Sequence, residues 1–457
     1  MSKAARLRIG FVGFGEVNTP REFIDERCQA VADELGRRGF DLVYSAPVSD
    51  DPQGEEARRA VQELEREPFA ALVVCIAGWI PSWAVFQVIE PFRHKPILLW
   101  GQSGWRNPEG RFVTTADQAG SSALRLPMQE MQYNYKYLVN FKDEEPRFDE
   151  AEDWLRAALA AAKLQNCLIG MSGYRDMRLF GTLYNGNLLK GQLGVEIEHF
   201  DLLEISHNLE NLDQAELQRL CAQVRQDWDF VREPQPGTIE NSVRLYLAFR
   251  QKIEERQYAA FSYCDVDGVK KLLRFAPAGA LTLLHQEMCL PTVPENDSYG
   301  AVTQLIMQYM SGQLCAYLEF YEFGRQYALM GVPDYVPANI VEGRIKVMPN
   351  AFGSFGEGLL NVSKLKGGEV TLARLAESGG AFIMHAATAQ AVQPEAWEEA
   401  GWAPPAPQLP SLQMNFGKDV EPFLQEIMAQ HYILSYGNNL GMLTEFCRIK
   451  NIELRVF

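Results

Sequence analysis

Short apolar runs alternate with amphipathic stretches over roughly the first 140 residues of the chain. Four such runs predict buried strands, at residues 7–12, 41–45, 70–76 and 96–100. The stretch after the first run repeats apolar residues at helical spacing and predicts one buried helix face: Ile24, Cys28, Val31 and Leu35. This alternation favours a doubly wound parallel sheet with helices on both faces, whose ligand sites lie in loops beyond the strand ends.

The rest of the chain predicts two further domains. Residues 142–153 are charged and poor in aromatic side chains, which predicts a linker, and a second α/β unit begins near Asn166. After about Gly312, short β-like runs are separated by Gly and Pro, which predicts a mainly antiparallel, barrel-like domain. Residues 403–410 hold four prolines and predict a rigid surface connection. The predicted fold class is therefore two doubly wound α/β domains and a C-terminal β domain, with boundaries at 1–160, 161–312 and 313–457.

Composition narrows the classes of function. The 457 residues carry a formal net charge of −16, which disfavours nucleic acid as a partner. No apolar run reaches the ~18 residues that a membrane span needs, and no apolar signal-peptide stretch precedes the first strand. The eight cysteines are scattered without a Cys-x-x-Cys pair, which is typical of reduced thiols, so we expect a cytoplasmic protein with no membrane partner.

Common cofactor and nucleophile motifs are absent from the sequence. Gly10, Gly13 and Gly15 do not match the G-x-G-x-x-G spacing, and there is no phosphate-binding G-x-x-x-x-G-K-[ST] loop and no G-x-S-x-G elbow. Asp265 and Asp267 resemble part of a calcium loop, but its remaining ligands are missing.

Three separate segments carry the candidate chemistry. Glu295 follows an apolar stretch and precedes a predicted helix, Glu319 lies inside an apolar β-like run, and His431 lies in an aromatic, polar turn beside Gln430. Each has a plain structural explanation: a carboxylate at a helix N-terminus, a solvent-facing strand residue, and a core histidine bonded to a carbonyl. A buried Glu319 would need a counter-charge, however, and a divalent metal shared with Glu295 and His431 would supply it.

These segments resemble, in the same chain order, the metal-ligand segments of the L-fucose isomerase and L-arabinose isomerase family. Glu319 lies 24 residues after Glu295, and the His431 segment lies near the C-terminus. Gln430 stands where the family usually has the first of two histidines. No histidine follows Glu319 at residues 328–331, which favours the fucose type with three protein ligands.

The resemblance implies a metal-dependent aldose–ketose isomerase of a monosaccharide. It implies Mn²⁺, with Co²⁺ or Mg²⁺ as substitutes, held by Glu295, Glu319 and His431, and a cis-enediol intermediate formed with the two glutamates as the acid–base pair. It further implies sugar contacts from Arg21, from Trp79 of a neighbouring subunit and from Gln430. The Trp79 contact would require a homo-oligomer, and the family implies a hexamer.

Two alternatives stay open at this stage. The same site could serve an isomerase or epimerase of a modified or anionic sugar, with Arg21, Arg106 and Arg175 as candidate partners of an anionic group. A non-catalytic sugar-binding protein could use similar α/β domains, but it would have no reason to combine two glutamates and a histidine.

Overall fold

The computed structural model describes residues 7–331, 336–351, 353–394 and 410–457. The chain divides into two compact units, Met1–Lys163 and Leu164–Phe457. The predicted α/β class with parallel sheets is confirmed, and so is an antiparallel C-terminal sheet. The three predicted domain boundaries stay predictions, and the proline-rich connection at 403–410 lies almost entirely outside the described residues. No helix in the described ranges combines the length and the apolar character that crossing a membrane requires.

The first unit is built on a parallel sheet of five strands. These are β1 (Arg8–Phe14), β2 (Leu42–Val48), β3 (Phe69–Ile76), β4 (Ile97–Gly101) and β5 (Tyr135–Val139), in the order β2-β1-β3-β4-β5. The helices between and after them are α1 (Arg21–Arg37), α2 (Glu55–Leu64), α3 (Ser82–Ile89), α4 (Asp117–Glu130) and α5 (Phe148–Leu164). The four predicted strands and the predicted face of α1 are confirmed, because the apolar runs and the helical spacing mark buried positions.

The predicted linker at 142–153 is wrong in its second half. Helix α5 begins at Phe148, whose ring packs edge-on against buried Trp100 at 5.1 Å. Ala151 is buried, while the side chain of Asp149 is 89% exposed. The charged residues that suggested a linker therefore lie on the solvent side of an amphipathic helix.

The second unit begins with another parallel sheet, of four strands. They are β6 (Leu168–Ser172), β7 (Glu196–Phe200), β8 (Ala260–Tyr263) and β9 (Thr292–Pro294), in the order β9-β8-β6-β7. Its longer helices are α6 (Leu202–Glu210), α7 (Gln214–Asp227), α8 (Thr238–Arg256), α9 (Ala278–Met288) and α10 (Ser298–Ser311). Edge strand β9 leads through a short turn into α10, and Glu295 lies in that turn.

The C-terminal sheet closes on itself. Its strands are β10 (Ala316–Phe323), β11 (Tyr327–Gly331), β14 (Gly368–Ser378), β15 (Ala381–Val392), β16 (Leu412–Asn415), β17 (His431–Tyr436) and β18 (Glu453–Val456). Antiparallel pairs run in the order β14-β17-β10-β11-β16-β15, and β14 also pairs with β15, which completes a ring of six strands. Strand β18 adds in parallel to β15. Strands β12 (Lys346–Ala351) and β13 (Glu357–Asn361) form an antiparallel pair, and the short strand Asp229–Phe230 adds in parallel to β12 to complete a separate three-stranded sheet.

Helices α11 (Glu421–Glu426) and α12 (Leu440–Lys450) flank β17 along the chain. The core of the ring is apolar and includes Leu318, Leu372, Met414 and Leu434. Helix α10 is buried continuously from Ser298 to Met307, so the turn before it is anchored by packing on all sides of the helix.

Candidate functional site

Glu295 lies in a turn with an unusual backbone conformation. Glu295 and Asn296 both adopt the left-handed region, with φ of 64° and 54°. This region is uncommon for a glutamate, and such backbone strain persists only where the surrounding structure fixes it. The side-chain amide of Asn296 supplies that support, since it donates to the carbonyls of Ser172 (2.9 Å) and Tyr174 (2.7 Å). The turn therefore holds Glu295 at the carboxyl end of β9.

Asp297 follows in the same turn and forms a buried ion pair with Arg374 of β14. The guanidinium donates two hydrogen bonds to the carboxylate, at 2.6 and 2.8 Å, and the two side chains are 3% and 5% exposed. The Tyr317 hydroxyl donates to the same carboxylate at 2.9 Å. Burial acts to raise the pKa of Asp297, but the charge and hydrogen bonds of Arg374 outweigh it and keep that pKa below its ordinary value.

Gly300 makes room for this ion pair. A Cβ at residue 300 would lie 2.6 Å from one carboxylate oxygen of Asp297 and 2.9 Å from a guanidinium nitrogen of Arg374. The Gly300 backbone N–H also donates to Asp297 at 2.9 Å, which caps helix α10. The glycine is therefore required by close approach, since its φ is not in the left-handed region.

Glu319 and His431 come together across two neighbouring strands. In the antiparallel pairing of β10 with β17, Glu319 lies directly opposite His431. Directly opposed residues project from the same face of a sheet, with Cβ atoms about 4.5–5.5 Å apart. Tyr317, two residues from Glu319, stacks on the His431 imidazole with ring centroids 4.4 Å apart. The sequence predicted a turn at His431, but His431 is the first residue of strand β17.

His431 is held in its neutral form. His431 is only 4% exposed, and burial lowers the pKa of its imidazole from 6.5 to about 3. The negative charge of Asp297 opposes this shift, and the positive charge of Arg374 reinforces it. Within the described ranges, the imidazole nitrogens of His431 make no hydrogen bond. A neutral imidazole with such nitrogens is the form that ligates a metal or exchanges a proton.

Tyr317 links the three segments electrostatically. Burial raises the pKa of its hydroxyl, and the negative charges of Asp297 and Glu295 raise that pKa further. Glu295 therefore acts on the same tyrosine that bonds Asp297 and stacks on His431.

The side chains are not gathered into a metal cage. Over residues 7–331, 336–351, 353–394 and 410–457, no cluster of three or more His, Cys, Asp or Glu side chains is arranged so that it could hold a metal ion. The assignment of Glu295, Glu319 and His431 as metal ligands therefore stays a prediction.

The predicted sugar-contacting residues are divided between the two units. In the first unit, Arg21 donates to Asp25 (2.7 Å), Glu56 (2.9 Å) and a backbone carbonyl, and Trp79 lies 38% exposed in the loop after β3. In the second unit, Gln430 is exposed just before β17, and its carbonyl accepts from a backbone N–H at 3.1 Å. Their roles in sugar binding stay predictions.

The arginines considered for an anionic group are already bonded to protein atoms. Arg106 forms a two-point ion pair with Asp143, and Arg175 donates to the carbonyls of Arg178 and Leu179.

Three residues of the site, Asp297, Tyr317 and Arg374, were not predicted from the sequence. Arg374 carried a signal, because a charged residue inside the apolar run of β14 demands a buried counter-charge. The identity of that counter-charge depends on contacts 77 residues apart along the chain, which no local pattern indicates.

Comparison with known proteins gives a distant relationship at most. No family model matches the chain. L-fucose isomerases of two Haemophilus influenzae strains, PittEE and Rd, are each 25% identical to it over 177 residues. That stretch covers 37% of this chain and 29% of each relative, so the match spans less than a third of the length of these curated relatives.

Proposed function

We propose that this protein is a metal-dependent aldose–ketose isomerase of a monosaccharide, with its centre at Glu295, Glu319 and His431. The observation that carries the proposal is the register of β10 and β17, which sets Glu319 opposite a buried, neutral His431. The influence of Glu295 on Tyr317, which stacks on that histidine, supports including the third residue. The distant similarity to L-fucose isomerase supports the reaction class.

The chemistry of the donors suits a divalent ion. Two carboxylates and one neutral imidazole are ligands for Mn²⁺, and also for Co²⁺ or Mg²⁺. Two features support a metal here: the chemical types of the donors, and the absence of a hydrogen bond to the His431 imidazole within the described ranges. The described side chains do not themselves form a group of three donors. Such an ion, when bound, polarises the carbonyl of the open-chain sugar and acidifies the neighbouring C–H bond.

The two glutamates are proposed to carry the protons. Conversion of an aldose to a ketose moves one proton from C2 to C1 and another from the C2 oxygen to the C1 oxygen, through a cis-enediol. One carboxylate of the pair Glu295 and Glu319 serves the carbon atoms and the other serves the oxygens. Two interacting carboxylates titrate as a pair, so neither is assigned its proton individually.

Asp297, Tyr317 and Arg374 have a positioning role in this proposal. The ion pair fixes the turn that carries Glu295, and the tyrosine joins that turn to His431. Arg21, Trp79 and Gln430 are proposed sugar contacts, and the Trp79 contact would come from a neighbouring subunit of a homo-oligomer, as in a hexamer.

A substrate panel tests the proposal. Neutral, 6-deoxy and acidic aldoses and ketoses are incubated with the protein and Mn²⁺, Co²⁺ or Mg²⁺, and interconversion is followed by NMR. We expect one sugar class to react, and we expect chelation to stop turnover. Conversion of an acidic sugar alone would favour the anionic-sugar alternative.

Glu295→Gln separates this site from any other source of activity. It should abolish turnover while circular dichroism and the melting temperature stay close to those of the wild type. Glu322→Gln is the matched control, because Glu322 lies exposed on the same strand as Glu319. The proposal is contradicted if no sugar reacts with any of the three ions, or if Glu295→Gln keeps full turnover.

A further inference from the structure

A small polar network centred on the Tyr432 hydroxyl lies inside the ring of strands, whose core is otherwise apolar. Tyr432 is fully buried. Its hydroxyl accepts a hydrogen bond of 3.0 Å from the backbone N–H of Met428 and shares one of 2.7 Å with Nδ1 of His385 on β15. Polar groups cost free energy in an apolar core unless they are hydrogen-bonded, so these bonds are what allows the hydroxyl to lie there. The three residues take no part in the proposed acid–base or metal chemistry.

Aromatic side chains hold the Tyr432 ring on the core side of the sheet. The ring packs against Phe320 of β10 and Phe423 of α11, with centroid distances of 5.3 and 5.7 Å. The His385 ring stacks on Phe423 at 4.8 Å. Burial lowers the pKa of the His385 imidazole, so this ring is neutral at physiological pH. A phenylalanine at residue 432 could keep the ring contacts but would make neither hydrogen bond.

The bond to Met428 closes the short segment between α11 and β17. Helix α11 ends at Glu426 and β17 begins at His431, so residues 427–430 belong to neither element. The Tyr432 side chain reaches back to Met428, four residues earlier in the chain. This bond therefore fixes the path by which the backbone enters His431.

A backbone bond to β10 holds the same segment from its other side. The carbonyl of Gln430 accepts from the N–H of Phe320 at 3.1 Å, beside the opposed pair of Glu319 and His431. Consecutive strand residues project from opposite faces. The Tyr432 side chain therefore enters the core, while the His431 imidazole lies on the face of Glu319. The network in the core thus acts on His431 through the backbone.

We propose that Tyr432 is a positioning residue for His431, because its hydroxyl fixes the start of β17 in the register that sets His431 opposite Glu319. The functional importance of this position rests on the proposed isomerase centre. A fully bonded polar network in an apolar core rigidifies the backbone around it. Loss of a residue that supports a metal ligand typically lowers metal affinity or activity about 10–100-fold.

Tyr432→Phe tests the proposal on the full-length protein, through amide hydrogen exchange and Mn²⁺ binding. We expect the Phe320 amide to exchange about tenfold faster, because its bond to Gln430 opens more often once the segment is released. We expect Mn²⁺ to bind at least about tenfold more weakly. A hydroxyl that only stabilised the core would lower the melting temperature without these two local effects.

Tyr436→Phe is the matched control. It removes another hydroxyl bond from the same strand, the 2.7 Å bond from Tyr436 to the carbonyl of Lys366, at the far end of β17. It should leave the exchange at Phe320 and the Mn²⁺ affinity unchanged.

His385→Phe removes the other partner of the Tyr432 hydroxyl but keeps an aromatic ring beside Phe423. It should change both readings in the same direction as Tyr432→Phe, by a smaller factor. It decides the question if Tyr432→Phe does not fold.

The proposal is overturned if the Phe320 amide exchanges no faster in Tyr432→Phe than in Tyr436→Phe. It is also overturned if Mn²⁺ binds the wild type and Tyr432→Phe equally well. If the wild type binds no Mn²⁺, the proposed isomerase centre fails, and the exchange at Phe320 alone decides whether Tyr432 fixes the start of the strand.

Discussion

Arg374 donates two hydrogen bonds, of 2.6 and 2.8 Å, to the carboxylate of Asp297, and both side chains are almost fully buried. The pair joins strand β14 of the closed sheet to the turn between β9 and α10. It therefore connects the part of the second unit that carries Glu295 to the part that carries Glu319 and His431.

Replacing only one member of this ion pair should lower the free energy of unfolding far more than replacing both members. Arg374→Met leaves the Asp297 charge buried without its counter-charge, and we expect a loss of about 3–5 kcal/mol in the free energy of unfolding. The double variant with Asp297→Asn should recover part of that loss, because no unpaired charge is left. Urea unfolding of the single and double variants measures the coupling. Strictly additive losses would contradict a direct, buried interaction.

The hydroxyl and the ring of Tyr317 should each contribute to the free energy of unfolding. Tyr317→Phe removes the 2.9 Å bond to Asp297 but keeps the ring on His431, and we expect a loss of about 1 kcal/mol in the free energy of unfolding. Tyr317→Leu also removes the stacked pair and leaves a cavity, so its loss should be larger by about 1–3 kcal/mol. Thermal and urea unfolding compare the two variants. Equal losses would show that the stacking contributes nothing.

The ionised Glu216 carboxylate should stabilise the second unit at neutral pH but not at strongly acidic pH. Arg250 donates two hydrogen bonds to it, at 2.7 and 2.6 Å, and these lower the pKa of the Glu216 carboxyl. A pKa that is lower in the folded state stabilises the protein above the unfolded-state pKa, and this contribution disappears as the pH falls through the folded-state pKa.

Glu216→Gln should therefore lower stability at pH 7 by about 1 kcal/mol and have little effect at the acid end of the titration. Unfolding midpoints measured from pH 7 down to strongly acidic pH test this, with Glu65→Gln as the exposed control. A difference between Glu216→Gln and wild type that stays constant with pH would contradict the assigned pKa shift.

Much of the fold could be predicted from local pattern alone. The strand β1 and the α1 face with Ile24 and Leu35 follow directly from apolar runs and helical spacing, because buried positions must be apolar. The start of α5 at Phe148 was missed, since its exposed face is so rich in charge that the pattern resembles a linker.

The site was predictable only in part. The segments of Glu295, Glu319 and His431 could be selected because a carboxylate or histidine among apolar residues requires a partner for its charge or its polar atoms. The register that sets Glu319 opposite His431 was not predictable, since β10 and β17 are more than 100 residues apart in the chain. The left-handed turn at Glu295 and the Asp297–Arg374 pair were hidden for the same reason: tertiary contacts fix them, and local propensity does not.

Mn²⁺ binding by the full-length protein, measured by calorimetry and by the electron paramagnetic resonance signal of the free ion, tests the proposed metal centre directly. We expect one ion per chain, with affinity reduced at least about tenfold by each of Glu295→Gln, Glu319→Gln and His431→Ala, and unchanged by Glu322→Gln. If Mn²⁺ does not bind, or binds equally well to all four folded variants, the three residues do not form a metal centre.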